Sequence, residues 1–561
     1  MSTNLDVAVI SPWKAELVKD IFPASFDLSA DSLTNFNNTL YFQVDQTESY
    51  RYAYSAKEQL WKSDGTETGT NLVKDQGSSY YTTSFLDINN NSLYFEVYNP
   101  DPSTMTSSLQ LWKTDGTDTG VQLVKDLGSS LDIKSKSFIP IENNLYFTVG
   151  SSVDATQLWK TDGTETGTVL VKDFDNIISN VREINNSLYL DVNEYNPVTS
   201  TSTAQLWKTD TTNTGVELIK DFGDFIFDYS YQDNTAIVNN TLYFEIRSPY
   251  FADSSSSQLW KSDGTDTGTT LVKDLGSLKN LSEFLGKLNN NFYFSVSVTD
   301  SEDPYTTTHE LWKSDGTDAG TTLVQDFGDY SFDYLTTVNN TLYFTTNSYD
   351  TLTSKSNYQL WEIDGDNGNV SLLKDLGEYS LSQWETIDNN LYFQLSRYDS
   401  STYTSTTQLW KTDGTDIGTT LIQDFPNSSF MSEDELGVIN NTLYFPLSDP
   451  NYGTELWMTD GTETGTIMVA DINPGKRGSS PSIPVDVNGT LYLLADDGIH
   501  GNELWKLTPT GSNLIPQDEL RNNAKALAMS HLNSMSELIS TANPTPTFSN
   551  VFETPSNLGL I

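Results

Sequence analysis

Oxygen-bearing side chains at a fixed spacing are the first chemistry this sequence offers. Seven times an Asp precedes Gly-Thr, at Asp64, Asp115, Asp162, Asp263, Asp315, Asp413 and Asp460, and a second Gly follows four residues beyond the first. Asp and Thr oxygens are calcium ligands, but one carboxylate per turn is too few for a self-sufficient site. The spacing is that of neither an EF-hand nor a calcium-binding nonapeptide. The same residues suit a hairpin: Asp accepts backbone N–H groups two residues on, and Gly supplies positive φ. A structural turn is therefore expected, with no cofactor required and calcium as the alternative. Catalytic constellations are scarce. His309, His500 and His531 lie in unrelated contexts, and no nucleophile elbow or phosphate-binding glycine loop occurs. Without cysteine there is no disulfide, thiolate zinc site or thiol catalysis. With 76 acidic residues, accidental carboxylate pairs are common, so no pair is marked out for glycoside hydrolysis.

Those 76 acidic residues face 30 basic ones, for a formal charge of −46. Nucleic acid and anionic membrane surfaces are therefore poor partners. The acid keeps a large surface soluble. No run of about 18 apolar residues exists to span a bilayer. The opening "MSTNLDVAVISPWKAELVKD" has no basic and apolar regions of a secretory signal.

The elements that must position these residues are repeats. Three phrases recur ten times in fixed order: Leu-Tyr-Phe or a variant, Leu-Trp, and Leu-Val-Lys-Asp or a variant. The tryptophans are Trp61, Trp112, Trp159, Trp207, Trp260, Trp312, Trp361, Trp410, Trp457 and Trp505, spaced 47 to 53 residues apart. Each unit reads as four short strands with tight turns, an antiparallel meander. Consecutive apolar residues such as Leu93, Tyr94 and Phe95 put apolar side chains on both faces of a sheet. Both faces must then be covered by neighbouring sheets, which is the β-propeller plan. The tryptophans are expected as inter-blade core rather than a sugar platform. The Lys and Asp of Leu-Val-Lys-Asp are expected as solvated edge charges.

The chain opens on an unpartnered "AELVKDI", Ala15–Ile21, and its tenth unit lacks that last strand. If Lys14–Ile21 completes the tenth sheet, one closed ring of ten blades results over residues 14–507. Two five-bladed rings would each need a latch, and only one is present. Residues 1–13 form an N-terminal extension. Residues 508–540 hold a linker and an amphipathic helix, Asp518–Ile539. Residues 541–561 read as a flexible tail. The helix is expected to plug the ring, pack beneath it or serve as a type I export signal.

In a meander the first and third turns share one end. The repeated Asn-Asn and Asp-Gly-Thr turns make that face uniform. The opposite face gathers the variable loops, which are rich in Tyr, Ser, Thr and Asp and carry the candidate binding residues Tyr98, Asp101, Tyr195, Asp300, Tyr305, Tyr349, Asp350, Tyr398, Asp399 and Tyr403. Loops on a rigid scaffold are where binding tends to sit, and this composition suits adaptable surfaces.

The repeats resemble the ELW-x-x-DGT family of bacterial, mainly cyanobacterial, proteins. "ELWKSDGTDAGTTLVQD" (Glu310–Asp326) and "ELWMTDGTETGTIMVAD" (Glu455–Asp471) carry nearly the whole motif. The resemblance implies a propeller-like, exported protein, but no reaction. Seven units depart from it, with Gln before Leu-Trp: Gln59, Gln110, Gln157, Gln205, Gln258, Gln359 and Gln408. The expected function is a non-enzymatic, exported or cell-surface propeller that binds a glycan or protein through its variable face, its oligomeric state open. The alternatives are a polysaccharide-active enzyme using loop carboxylates and a self-assembling acidic surface protein.

Overall fold

A computed structural model describes residues 13–21, 33–47, 56–79, 85–89, 91–101, 106–117, 119–129, 132–133, 138–150, 155–174, 176–196, 201–209, 215–227, 235–248, 256–300, 306–353, 355–430 and 436–510. These form ten antiparallel sheets, the blades of a β-propeller, of which blades 2 to 9 span residues 85–129, 132–173, 177–221, 235–277, 279–328, 331–377, 380–426 and 429–470 in chain order. Blade 1 runs Leu33–Phe36, Thr39–Thr47, Ala56–Ser63 and Asn71–Ser79 in spatial order. In blades 3 and 9 the first strand comes in two pieces, both paired with the same second strand. The turn into the second strand is Asn-Asn at 37–38, 185–186, 239–240, 339–340 and 440–441, with every φ between 49° and 63°. A two-residue turn of this kind needs positive φ twice, and Asn tolerates it.

Leu-Tyr-Phe divides its side chains between two neighbours. Leu93, Phe95 and Val97 of blade 2 pack with Phe36, Tyr41 and Leu60 of blade 1. Leu391, Phe393 and Leu395 of blade 8 pack in the same way with Val338, Tyr343 and Leu360 of blade 7. Leu and Phe thus face the preceding blade and Tyr the following one, as strand alternation requires. Burying one such side chain contributes about 1.5–3 kcal/mol, so a blade draws most of its stability from its neighbours.

The tenth blade joins both ends of the chain. Val485–Val487, Thr490–Asp496 and Asn502–Pro509 are completed at the outer edge by Trp13–Lys19. Val18 and Ile21 pack with Val487, Tyr492, Leu494 and Leu504, and against Leu40, Phe42 and Val44 of blade 1. The Ile21 N–H donates to Glu503 Oε2 at 3.1 Å. Lys506 donates to the Gly65 carbonyl at 3.1 Å, as Lys261 does to Gly316 and Lys411 to Gly461 at 2.9 and 2.8 Å. The closing interface therefore repeats the chemistry of the interior ones.

Ala15–Thr508 is one compact unit. The second unit, Met1–Lys14 with Pro509–Ile561, lies almost wholly outside the described residues, and with it the expected helix and tail. No helix of the described residues is long and apolar enough to cross a membrane.

Candidate binding face

The uniform face is built by the Asp-Gly-Thr turns. In all seven, one carboxylate oxygen of Asp64, Asp115, Asp162, Asp263, Asp315, Asp413 or Asp460 accepts both the N–H and the hydroxyl of the Thr two residues on, at 2.7–3.0 Å. The Thr hydroxyl holds Asp64, Asp162, Asp263, Asp315 and Asp413 below the usual carboxylate range. The turn also joins blades. At Gly316, φ is 85° and a Cβ would lie 2.2 Å from the Tyr243 hydroxyl of the preceding blade. Burial, and then the Asp315 carboxylate, pushes that phenol up. Gly65 stands in the same relation to Tyr492, across the closure.

At the outer rim the ten tryptophans are half-buried, and nine of them, from Trp61 to Trp457, lie against the edges of the inter-blade cores. The Gln before Leu-Trp has a place there. Its carbonyl accepts the indole N–H of Trp61, Trp112, Trp159, Trp207, Trp260 and Trp410 at 3.0–3.1 Å. Its amide donates to the Asp that closes Leu-Val-Lys-Asp, as Gln110 does to Asp126 at 3.1 Å and Gln157 to Asp173 at 2.7 Å. Glu310 puts a second carboxylate opposite Asp326, and Lys279 meets it at 2.7 Å.

The lysines of Leu-Val-Lys-Asp are not the free edge charges that the sequence suggests. Lys74 lies 3.9 Å from the ring centre of Trp112 in the next blade, and Lys374 4.9 Å from Trp410. Lys220 and Lys273 reach Asp266 and Asp318 of the next blade's turn at 3.0 and 2.9 Å. Lys19, from the N-terminal strand, covers Trp61 at 5.8 Å. A bulge causes this. Leu60 pairs with Lys74 and Trp61 with Leu72, so Val73 is the extra residue and Lys74 swings toward blade 2.

On the variable face the second and third strands run on as paired ribbons. The ladder reaches Asn196↔Thr201 in blade 4, Asp350↔Lys355 in blade 7 and Asp399↔Thr404 in blade 8. Tyr195, Tyr349 and Tyr398 occupy the same position, six residues beyond the buried Tyr of Leu-Tyr-Phe, and are 56%, 60% and 62% exposed. Tyr403 stands at a tip, 81% exposed. Two carboxylates expected on this surface are occupied by the tips themselves. Asp350 accepts the Leu352 N–H at 2.8 Å and the Thr353 hydroxyl at 2.7 Å. Asp399 accepts the N–H and hydroxyl of Ser401 at 2.8 and 2.6 Å, and the hydroxyl holds it down at about 2. Asp300 is exposed at the mouth of its loop, its N–H donating to the Thr306 carbonyl. Tyr305 and the side chains of Tyr98 and Asp101 fall outside the described residues. Two residues that the sequence did not single out stand between blades 7 and 8: Tyr379, in the link, and Arg397, whose guanidinium lies 5.3 Å from the Tyr379 ring centre. Among the described residues no group of three or more His, Asp or Glu could hold a metal ion.

No family model matches the chain, and no curated protein matches it. Among solved structures it is similar to the β-propeller domain of the Trilobed protease from Pyrococcus furiosus, at 9% identity and TM-score 0.29, over 64% of this chain and 99% of that one. It is similar to prolyl oligopeptidase B from Galerina marginata at 11% identity and TM-score 0.34, over 66% and 55% of the two chains. A puromycin-hydrolyzing peptidase from Mycobacterium tuberculosis matches at 8% identity and TM-score 0.33, over 84% of this chain and 58% of that one. The chain thus spans little more than half of the two peptidases, and likenesses this distant say nothing of activity.

Proposed function

We propose that this propeller is a non-catalytic binding scaffold that takes a glycan or a protein partner on its variable-turn face, at a cell surface or outside the cell. The observation that carries this reading is the set of exposed tyrosines Tyr195, Tyr349 and Tyr398 on paired ribbons. Exposed aromatics held at low entropic cost are what a recognition surface needs. An enzyme acting through loop carboxylates is less favoured, because Asp350 spends both oxygens and Asp399 spends Oδ1 on their own hairpin tips. The motif likeness to the ELW-x-x-DGT family supports the extracellular placement and stays part of the proposal. No cofactor is proposed: each turn Asp already has its Thr N–H and hydroxyl as partners.

The test is a glycan array and a protein capture with the intact chain, alongside a Tyr349→Ser/Tyr398→Ser double variant, each with calcium and with a chelator. The expected result is a ligand bound equally in both buffers and weakened at least about tenfold in the variant, at an unchanged melting temperature. Release of sugar from a bound polysaccharide would mean that the enzyme reading is the right one.

A further inference from the structure

Among the described residues no carboxylate pairs with Arg397, in a chain that carries 76 acidic residues. Its one partner among the described residues is the Tyr379 ring. Its Nε is buried and meets no acceptor. Leaving guanidinium donors unpaired in a half-buried place is costly. Buried Arg182, by contrast, has a carboxylate beside it, Asp191 at 2.5 Å. The acid nearest in sequence to Tyr379, Glu378, is taken by Lys355.

The position is as telling as the lack of a partner. Leu391, Phe393 and Leu395 of blade 8 face blade 7 in a shared core. Arg397 continues that row toward the variable turn. Across from it, Tyr343 of blade 7 faces blade 8, and the same alternation carries on to the exposed Tyr349. Strand partners add hydroxyls, Ser356 beside Tyr349 and Thr406 beside Arg397.

We propose that the seam between blades 7 and 8 on the variable face is a subsite for the carboxylate of an acidic sugar, with the Arg397 guanidinium as its receptor. The inference rests on the glycan form of the function proposed above and names the class of glycan. A planar guanidinium fork matches a carboxylate with two parallel bonds. The Tyr379 ring lies 5.3 Å from the guanidinium carbon, close enough for a cation–π contact. The exposed Tyr349 ring offers a flat apolar surface to the sugar, which a bare inorganic anion could not use.

Calorimetric titration of the full chain with an oligoglucuronate, the neutral glucose oligomer of equal length, sodium sulfate and a Glu-rich peptide tests it. The uronate is expected to bind about tenfold or more tighter than the neutral sugar. Arg397→Gln is expected to erase that preference at an unchanged melting temperature, and Arg397→Lys to restore only part of it. A preference that is absent, or that survives in Arg397→Gln, overturns the subsite. Sulfate or the acidic peptide binding as tightly as the uronate overturns its assignment to a sugar. Neutral-sugar binding with no response to Arg397→Gln sinks the subsite and leaves the glycan reading standing. No binding of either sugar removes both.

Discussion

The position before Leu-Trp shows how one atom changes a residue's task. As Gln it bridges an indole N–H to an Asp. As Glu455 it is fully buried and accepts the Ser479 hydroxyl at 2.5 Å and the N–H groups of Ile472 and Asn473 at 3.3 Å. Burial outweighs these bonds and pushes its carboxyl up to about 7. A raised carboxyl means that the folded chain holds a proton which the unfolded chain releases near pH 4.5. The contribution is therefore whole below that pH and is lost as pH rises toward about 7, at most about 3 kcal/mol. Urea midpoints are expected to fall between pH 5 and pH 8, and Glu455→Gln to flatten that slope. The turn aspartates work in the opposite sense and lower down: their depressed carboxyls lose stability only as pH falls below the ordinary Asp range. An unchanged slope in Glu455→Gln would assign the effect to other groups.

At the scale of the element, the Asp-Gly-Thr turn is both a hairpin and a joint between blades. Gly276, which lies outside these turns in Asp274-Leu275-Gly276, serves to separate backbone strain from the joint that Gly316 makes. Both have φ near 85°, but a Cβ on Gly316 meets the Tyr243 hydroxyl at 2.2 Å whereas one on Gly276 meets nothing within 4 Å. Gly276→Ala is expected to cost about 1–2 kcal/mol from backbone strain alone. Gly316→Ala is expected to cost measurably more in the same urea titration, because Tyr243 must move; equal costs would show that the joint carries no stability. The strands, the ten units and the uniform face were legible in the sequence because each rests on a pattern repeated every 50 residues or so. The Tyr-to-Gly joint was not, because its partners lie in different units and no local spacing records the approach. The lysines were misread for a related reason: a period-two count along Leu-Val-Lys-Asp cannot see the bulge that turns Lys74 toward Trp112. Arg397 was not legible either: what sets it apart is the lack of a carboxylate partner among the described residues, which no sequence pattern records.

For the whole molecule the question is what keeps ten blades from behaving as an open stack. A stack of repeats is stabilised by nearest-neighbour interfaces, and its end units lack one neighbour each. The N-terminal strand removes those ends by completing blade 10 and touching blade 1 through Val18, Ile21 and Lys19. Two buried aliphatic side chains contribute about 1.5–3 kcal/mol each, before the strand ladder and the Ile21–Glu503 bond are counted. A chain that starts at Ser25 should therefore melt at a clearly lower temperature. The loss should begin at blades 10 and 1, where amide exchange should quicken first, while blades 4 to 6 stay protected. A synthetic peptide spanning Trp13–Ile21 should restore both readouts by adding its strand to the vacant edge. A peptide with Val18→Asp should not, since it offers the same backbone but places a charge in the apolar seam between the two blades. Melting indifferent to the truncation would show that nine ordinary interfaces suffice and that the tenth is dispensable.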